Sequence, residues 1–464
     1  SGTMIIANTG AGYVTSGIRL VNATMTNSDN MIISNTGAVG IVVSNDSSLT
    51  NTGTMTVSNT GTGIIIGDNS CATNSSGGGV SEGSIINSGT ITTLGDSGSP
   101  AMHAVCAASL TNTGIIALQN PGNIGIRDIT INNNAGGEIT ITTGSESIGI
   151  TSNTLYNNAG AIITVSNTGN SGISQTRLHN SGTVIFSNSA NTVGFGTDQS
   201  YITNNAGGII TVSNTGTSIG INNSYGELTN NAGGIITVSN TGTSSTGINN
   251  NRGSSTPSAV ITNTGTMTVS NTGGTGINFI LSDGALINSN TLTVSNTGGI
   301  GINGGTTTNN VDANINISST NGIVDSEITN SGTITVSTST GISSSTTIIN
   351  QNGVVENTFE DIVIDTSTPV TGSTTTQTEI GNSLWSLEFC ASGSDYGVCS
   401  LPITGSSNDE GIVPLTRGYE YPTSPDDQGS GYISIGITGG AVDNYTDVCT
   451  PTVQVSIIDI PEGI

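Results

Sequence analysis

Covalent chemistry is the first thing the residue types offer. Five cysteines stand at positions 71, 106, 390, 399 and 449. Cys71 and Cys106 occupy equivalent places in adjacent copies of an internal repeat, so a disulfide between them is expected. Cys390 and Cys399 could close a hairpin loop, or Cys449 could pair with either. The odd count leaves one thiol free or intermolecular. Zinc is the rival reading, but no CxxC occurs and no His lies near the cluster Cys390, Cys399 and Cys449. Disulfides agree with an oxidising, extracellular setting.

The acids offer metal binding and catalysis. Asp426, Asp427, Asp443 and Asp447 are hard oxygen ligands in expected loops, of the type that binds Ca²⁺. They match no EF-hand spacing or glycine-rich nonapeptide, and solvated loops are the favoured reading, so no cofactor is expected. A catalytic β-helix would need clustered carboxylates, or Arg, Lys or His, on one face. His103 and His179 stand three coils apart and the acids before residue 354 are scattered. A polysaccharide-active enzyme is therefore the disfavoured alternative, and a non-enzyme is expected. Sequons for N-glycosylation fall at Asn22, Asn45, Asn74, Asn222, Asn316 and Asn444.

Composition removes further classes. The 464 residues carry 5 basic against 30 acidic side chains, a formal net charge of −25. Every basic residue is Arg (Arg19, Arg127, Arg177, Arg252, Arg417), and Lys is absent. Nucleic acid is excluded as a partner, because phosphates need neutralising cations. A Walker-type phosphate site and a Schiff-base enzyme both need Lys. With 8% charged residues and 67 glycines, neither a coiled coil nor a helical bundle fits. No apolar run reaches the roughly 18 residues that span a bilayer. The chain begins at Ser1, so a removed leader is expected.

The elements that position these residues come from a repeat. The phrase T-V-S-N-T-G, or a variant, returns at Val57, Val165, Val212, Val238, Val269 and Val294, at intervals of about 24 residues. Each copy reads as three short strands. In the first, Thr54-Met55-Thr56-Val57 alternates Met55 and Val57 inward with threonines outward. Gly-Ile pairs such as Gly149-Ile150 and Gly172-Ile173 mark the second. An aliphatic-X-Asn phrase ends the third and sets up an Asn column: Asn51, Asn87, Asn112, Asn133, Asn157, Asn180, Asn204, Asn230, Asn263, Asn288, Asn330 and Asn350. Stacked Asn amides can hydrogen-bond along the axis. The pattern predicts an all-β fold: a right-handed parallel β-solenoid over 1–353, of about 14 three-strand coils.

Composition changes near residue 354. Sixteen of the 30 acids follow it. A Thr/Ser-rich stretch at 354–378 reads as a linker or docking strand. Residues 379–464 carry longer alternating segments, such as Leu384 to Phe389 and Gly431 to Thr438, with Pro- and Gly-rich turns. They predict a small antiparallel β-sandwich.

Phrases such as Ile261-Thr262-Asn263-Thr264-Gly265 followed by Thr266-Met267-Thr268-Val269-Ser270-Asn271-Thr272-Gly273 resemble the passenger regions of bacterial autotransporters and haemagglutinin-like adhesins. The resemblance covers the repeats alone. It implies a secreted or cell-surface β-helix, adhesive or structural. Two functions follow. One is a subunit that assembles head to tail into an extracellular fibre, sheath or layer, a homo-polymer joined through the first coil at Ser1, Gly2, Thr3, Met4, Ile5 and Ile6. The other is an adhesin, with the solenoid as stalk and the C-terminal domain as a head for a host or glycan ligand.

Overall fold

A computed structural model describes residues 2–357, apart from short turns and loops of which 68–82 is the longest, and beyond 357 only the strands Asp361–Asp365, Ile433–Ile437, Gly440–Asn444 and Gln454–Ile458. It divides into two units, Ser1–Ala285 and Leu286–Ile464. No helix occurs among the described residues.

Within Ser1–Ala285 the chain is a parallel β-solenoid. First strands such as Thr54–Asn59 pair in parallel with the first strands of the coils on either side. Second strands such as Ile148–Thr151 do the same, as do third strands such as Thr154–Asn157. Alternation decides what lies inside. Met55 and Val57 are fully buried, whereas Thr54 is exposed and Thr56 half-buried. One first-strand column runs Ile33, Val57, Thr93, Leu118, Ile141, Val165, Phe186, Val212, Val238 and Val269, each in register with the next. Burying one such aliphatic side chain contributes about 1.5–3 kcal/mol. Thr93 interrupts the column with a buried hydroxyl that has no partner among the described residues.

The Gly-Ile pairs have a packing cause. Gly149 has an ordinary φ, but a Cβ there would lie 2.3 Å from Val165 Cγ1 and 2.5 Å from the Gly172 carbonyl oxygen of the next coil. Glycine lets that corner close, and the following Ile150 enters the core fully buried. One coil is filled differently: Phe186 and Phe195 meet edge to face with centroids 5.7 Å apart.

The Asn column is an amide ladder. Asn27 Nδ2 donates to Asn51 Oδ1, Asn51 to Asn87, and so on through Asn112, Asn133, Asn157, Asn180, Asn204 and Asn230 to Asn263, at 2.8–2.9 Å. The same amides also reach backbone carbonyls, as Asn157 Nδ2 does to Thr183 O at 3.0 Å. These side chains are buried, and the ladder is how a polar column is tolerated there.

Leu286–Ile464 repeats the pattern in its described coils. Asn288, Asn309, Asn330 and Asn350 form a ladder. Two first-to-second-strand turns are extended, giving the long strands Thr291–Asn303 and Asn314–Val324. Val354–Asn357 adds a first strand in register with Thr333–Val336. Asp361–Asp365 pairs antiparallel with Gln454–Ile458, and Ile433–Ile437 with Gly440–Asn444. The remainder of the expected sandwich lies outside the described residues.

Candidate functional site

All five cysteines, Asn74, Asp426, Asp427 and Asp447 lie outside the described residues. The second strands that precede Cys71 and Cys106 are direct neighbours, with Met102 opposite Ile64 and Ala104 opposite Ile66. Asp443 stands opposite Ser434 in the antiparallel pair, and Asn444 ends the same strand. Asn22 and Asn45 both have left-handed backbone (φ 48 and 54), at one corner of adjacent coils, with Asn22 N donating to Asn45 O at 3.1 Å. Asn222 accepts from Asn249 Nδ2 in a short half-buried amide ladder that continues to Asn278. Asn316 sits half-buried between Thr293 and Thr335. Gly2, Thr3, Met4 and Ile5 are exposed and Ile6 is half-buried, in a strand paired with Asn30–Asn35.

Among the described residues, titratable side chains come together at two places. The first is on the second-strand side. His103 faces Arg127 in register. Asp128, in left-handed backbone (φ 59), accepts from Arg127 Nε at 3.2 Å, and its Oδ2 lies 3.8 Å from His103 Nε2. Burial holds the imidazole pKa below its ordinary value. Arg127 adds to that lowering and Asp128 opposes it. One carboxylate, already held by a guanidinium, supplies no acid–base pair. No group of three or more His, Cys, Asp or Glu suited to a metal occurs among the described residues.

The second place was not anticipated from the sequence. It lies on the outer face of the third strands at Thr154–Asn157, Arg177–Asn180, Tyr201–Asn204 and Glu227–Asn230. Tyr156 and His179 are opposite each other and stacked, centroids 5.1 Å apart and planes at 12°. The Arg177 guanidinium lies 5.5 Å from the centroid of the Tyr201 ring. Glu227 stands opposite Tyr201 on the next coil. Arg177 has no ion pair among the described residues. Tyr156 and Tyr201 are each 39% exposed, so the face presents phenols, an imidazole and a guanidinium to solvent.

Comparison with known proteins adds little to this geometry. No family model matches the chain, and no curated protein matches it. Among solved structures, it is similar to a crystal structure of a TibC-catalysed hyper-glycosylated TibA fragment. The two are 18% identical, and the match covers 73% of this chain and 99% of the fragment, with a TM-score of 0.27. No site follows from so loose a likeness.

Proposed function

We propose that the chain is a non-enzymatic structural protein of the extracellular surface, which assembles with copies of itself into a fibre, sheath or layer. The observation that carries this reading is the residue-for-residue register of coil on coil, seen in the column from Ile33 to Val269 and in the amide ladder. A surface that stacks on its own repeat within a chain has the chemistry to stack on a copy.

The contact we favour is the strand Thr3–Asn8. Met4 is in register with Met31 and Ile6 with Ile33. Met31 and Ile33 are buried under their neighbours, whereas Met4 is 52% exposed at an inward position. In the assembly we propose, a coil of a second copy lies on that edge and covers Met4 and Ile6. Poverty in charge and the amide ladder suit a shaft whose polar groups are spent on its own axis. The extracellular placement rests on composition and on the resemblance of the repeats.

Sedimentation velocity of the full chain tests this. Wild-type protein is expected to assemble, and Met4→Asp with Ile6→Asp to remain monomeric, because a charge would be buried unpaired in the contact. Equal sedimentation of the two overturns the contact.

A further inference from the structure

We propose that the outer face of the third strands around Arg177 is a binding site for an oligosaccharide carrying a single carboxylate sugar. This goes beyond the structural role and does not depend on self-assembly.

Elsewhere on this face most outward positions carry Ser, Thr or Asn, with scattered aliphatic residues such as Ile86 and Val260 and no aromatic ring among the described residues. Ser48 and Thr50 hold these positions in one coil, Thr130 and Asn132 in another. Over three successive coils they become Tyr156, then Arg177 and His179, then Tyr201, followed by Glu227. Folding does not ask for them, since the buried residues of these strands are Leu155, Leu178, Ile202 and Leu228 with their ladder asparagines. In a chain with 3% aromatic and 8% charged residues, the grouping calls for a ligand.

The geometry selects its chemistry. Tyr156 and His179 stack from strand to strand, close to the roughly 4.8 Å spacing of the sheet. Tyr156 is exposed and His179 half-exposed, so the stack offers a phenol and an imidazole to sugar hydroxyls. Tyr201 holds the Arg177 guanidinium by its face. A stacked guanidinium keeps its N–H fork for bidentate pairing with a carboxylate, and no acid among the described residues claims it. Glu227 and Asn132, at the two ends of the patch, supply a further acceptor and an amide. The surface is a flat sheet face rich in donors and acceptors, which suits a sugar chain lying across the coils.

Charge limits the ligand to one carboxylate. The chain carries a net −25, and the patch holds one guanidinium. A polyanion meets repulsion on approach, whereas a single carboxylate meets Arg177 within about one Debye length, roughly 8 Å at physiological salt.

The test uses the full chain, with 3′-sialyllactose as the acidic probe and lactose as its neutral counterpart, read by saturation-transfer NMR and calorimetry. Sialyllactose is expected to bind, with lactose at least about tenfold weaker. Arg177→Gln should weaken sialyllactose by about tenfold or more, and Arg177→Lys should recover only part of it, since Lys lacks the fork. Tyr156→Ala should weaken it severalfold. All three variants change exposed side chains, and circular dichroism should match wild type. The proposal is overturned by no binding of sialyllactose at about 10 mM, by equal binding of lactose, or by an Arg177→Gln variant that binds like wild type.

Discussion

Removing one rung of the amide ladder gives the most demanding test of how the solenoid is held together. Asn157 is fully buried in the middle of it. Its Oδ1 accepts from Asn133 Nδ2 at 2.9 Å, and its Nδ2 donates to Asn180 Oδ1 at 2.8 Å and to Thr183 O at 3.0 Å. Asn157→Ala deletes these three bonds and strands the Asn180 acceptor. The bonds to Asn133 and Thr183 cost about 1 kcal/mol net each and the stranded Asn180 acceptor about 1–3 kcal/mol, so the variant should lose about 3–5 kcal/mol. Asn158→Ala is the control. Asn158 Nδ2 donates to Asn134 Oδ1 at 2.7 Å on the exposed side of the same corner, and its loss should cost about 0.5 kcal/mol or less. Because coils of a solenoid open locally, the assay is amide hydrogen exchange of 133–137, 157–161 and 180–183, beside a guanidinium titration. Faster exchange confined to Asn157→Ala is expected. Equal midpoints and equal exchange in the two variants would refute the reasoning.

Three further outcomes follow. Gly149→Ala places a Cβ 2.5 Å from the Gly172 carbonyl oxygen, and should lower stability by about 1–3 kcal/mol in a thermal melt. Phe186→Ala empties the coil that Phe186 and Phe195 fill, and should cost about 3–5 kcal/mol by denaturant titration. The His103 pKa is lowered in the folded chain, chiefly by burial, so the neutral ring is the form that folding favours. That contribution is fully present above the ordinary His pKa, about 6.5, and is lost as pH falls through the lowered folded value. Melting temperatures of wild type and His103→Gln should therefore diverge between pH 8 and pH 5, with the wild type losing more on the acid side.

The solenoid was legible because its core is periodic. Met55 with Val57, Gly149 with Ile150, and Asn157 each occupy a place that returns in every coil, and register then follows from the pleat. The ladder also contains Asn27 and Asn309, which the phrase search passes over. At Asn309 the preceding inward residue is Thr307, buried with an unpartnered hydroxyl, so the aliphatic-X-Asn phrase is broken there. The surface was less legible. Arg177 meets Tyr201, and Tyr156 meets His179, only because two pairs of third strands align. Coil lengths vary, so distance along the chain does not say which outward side chains are neighbours. The sequence separates His179 from His103 by three coils but does not show its companion, an aromatic ring one coil away.

The central claim is a structural protein that assembles with itself, and electron microscopy of the purified full chain in buffer at neutral pH tests it most directly. Regular filaments or sheets, lost in the variant carrying Met4→Asp and Ile6→Asp, are the predicted result. Dispersed single particles for the wild-type chain at every concentration tried would contradict it.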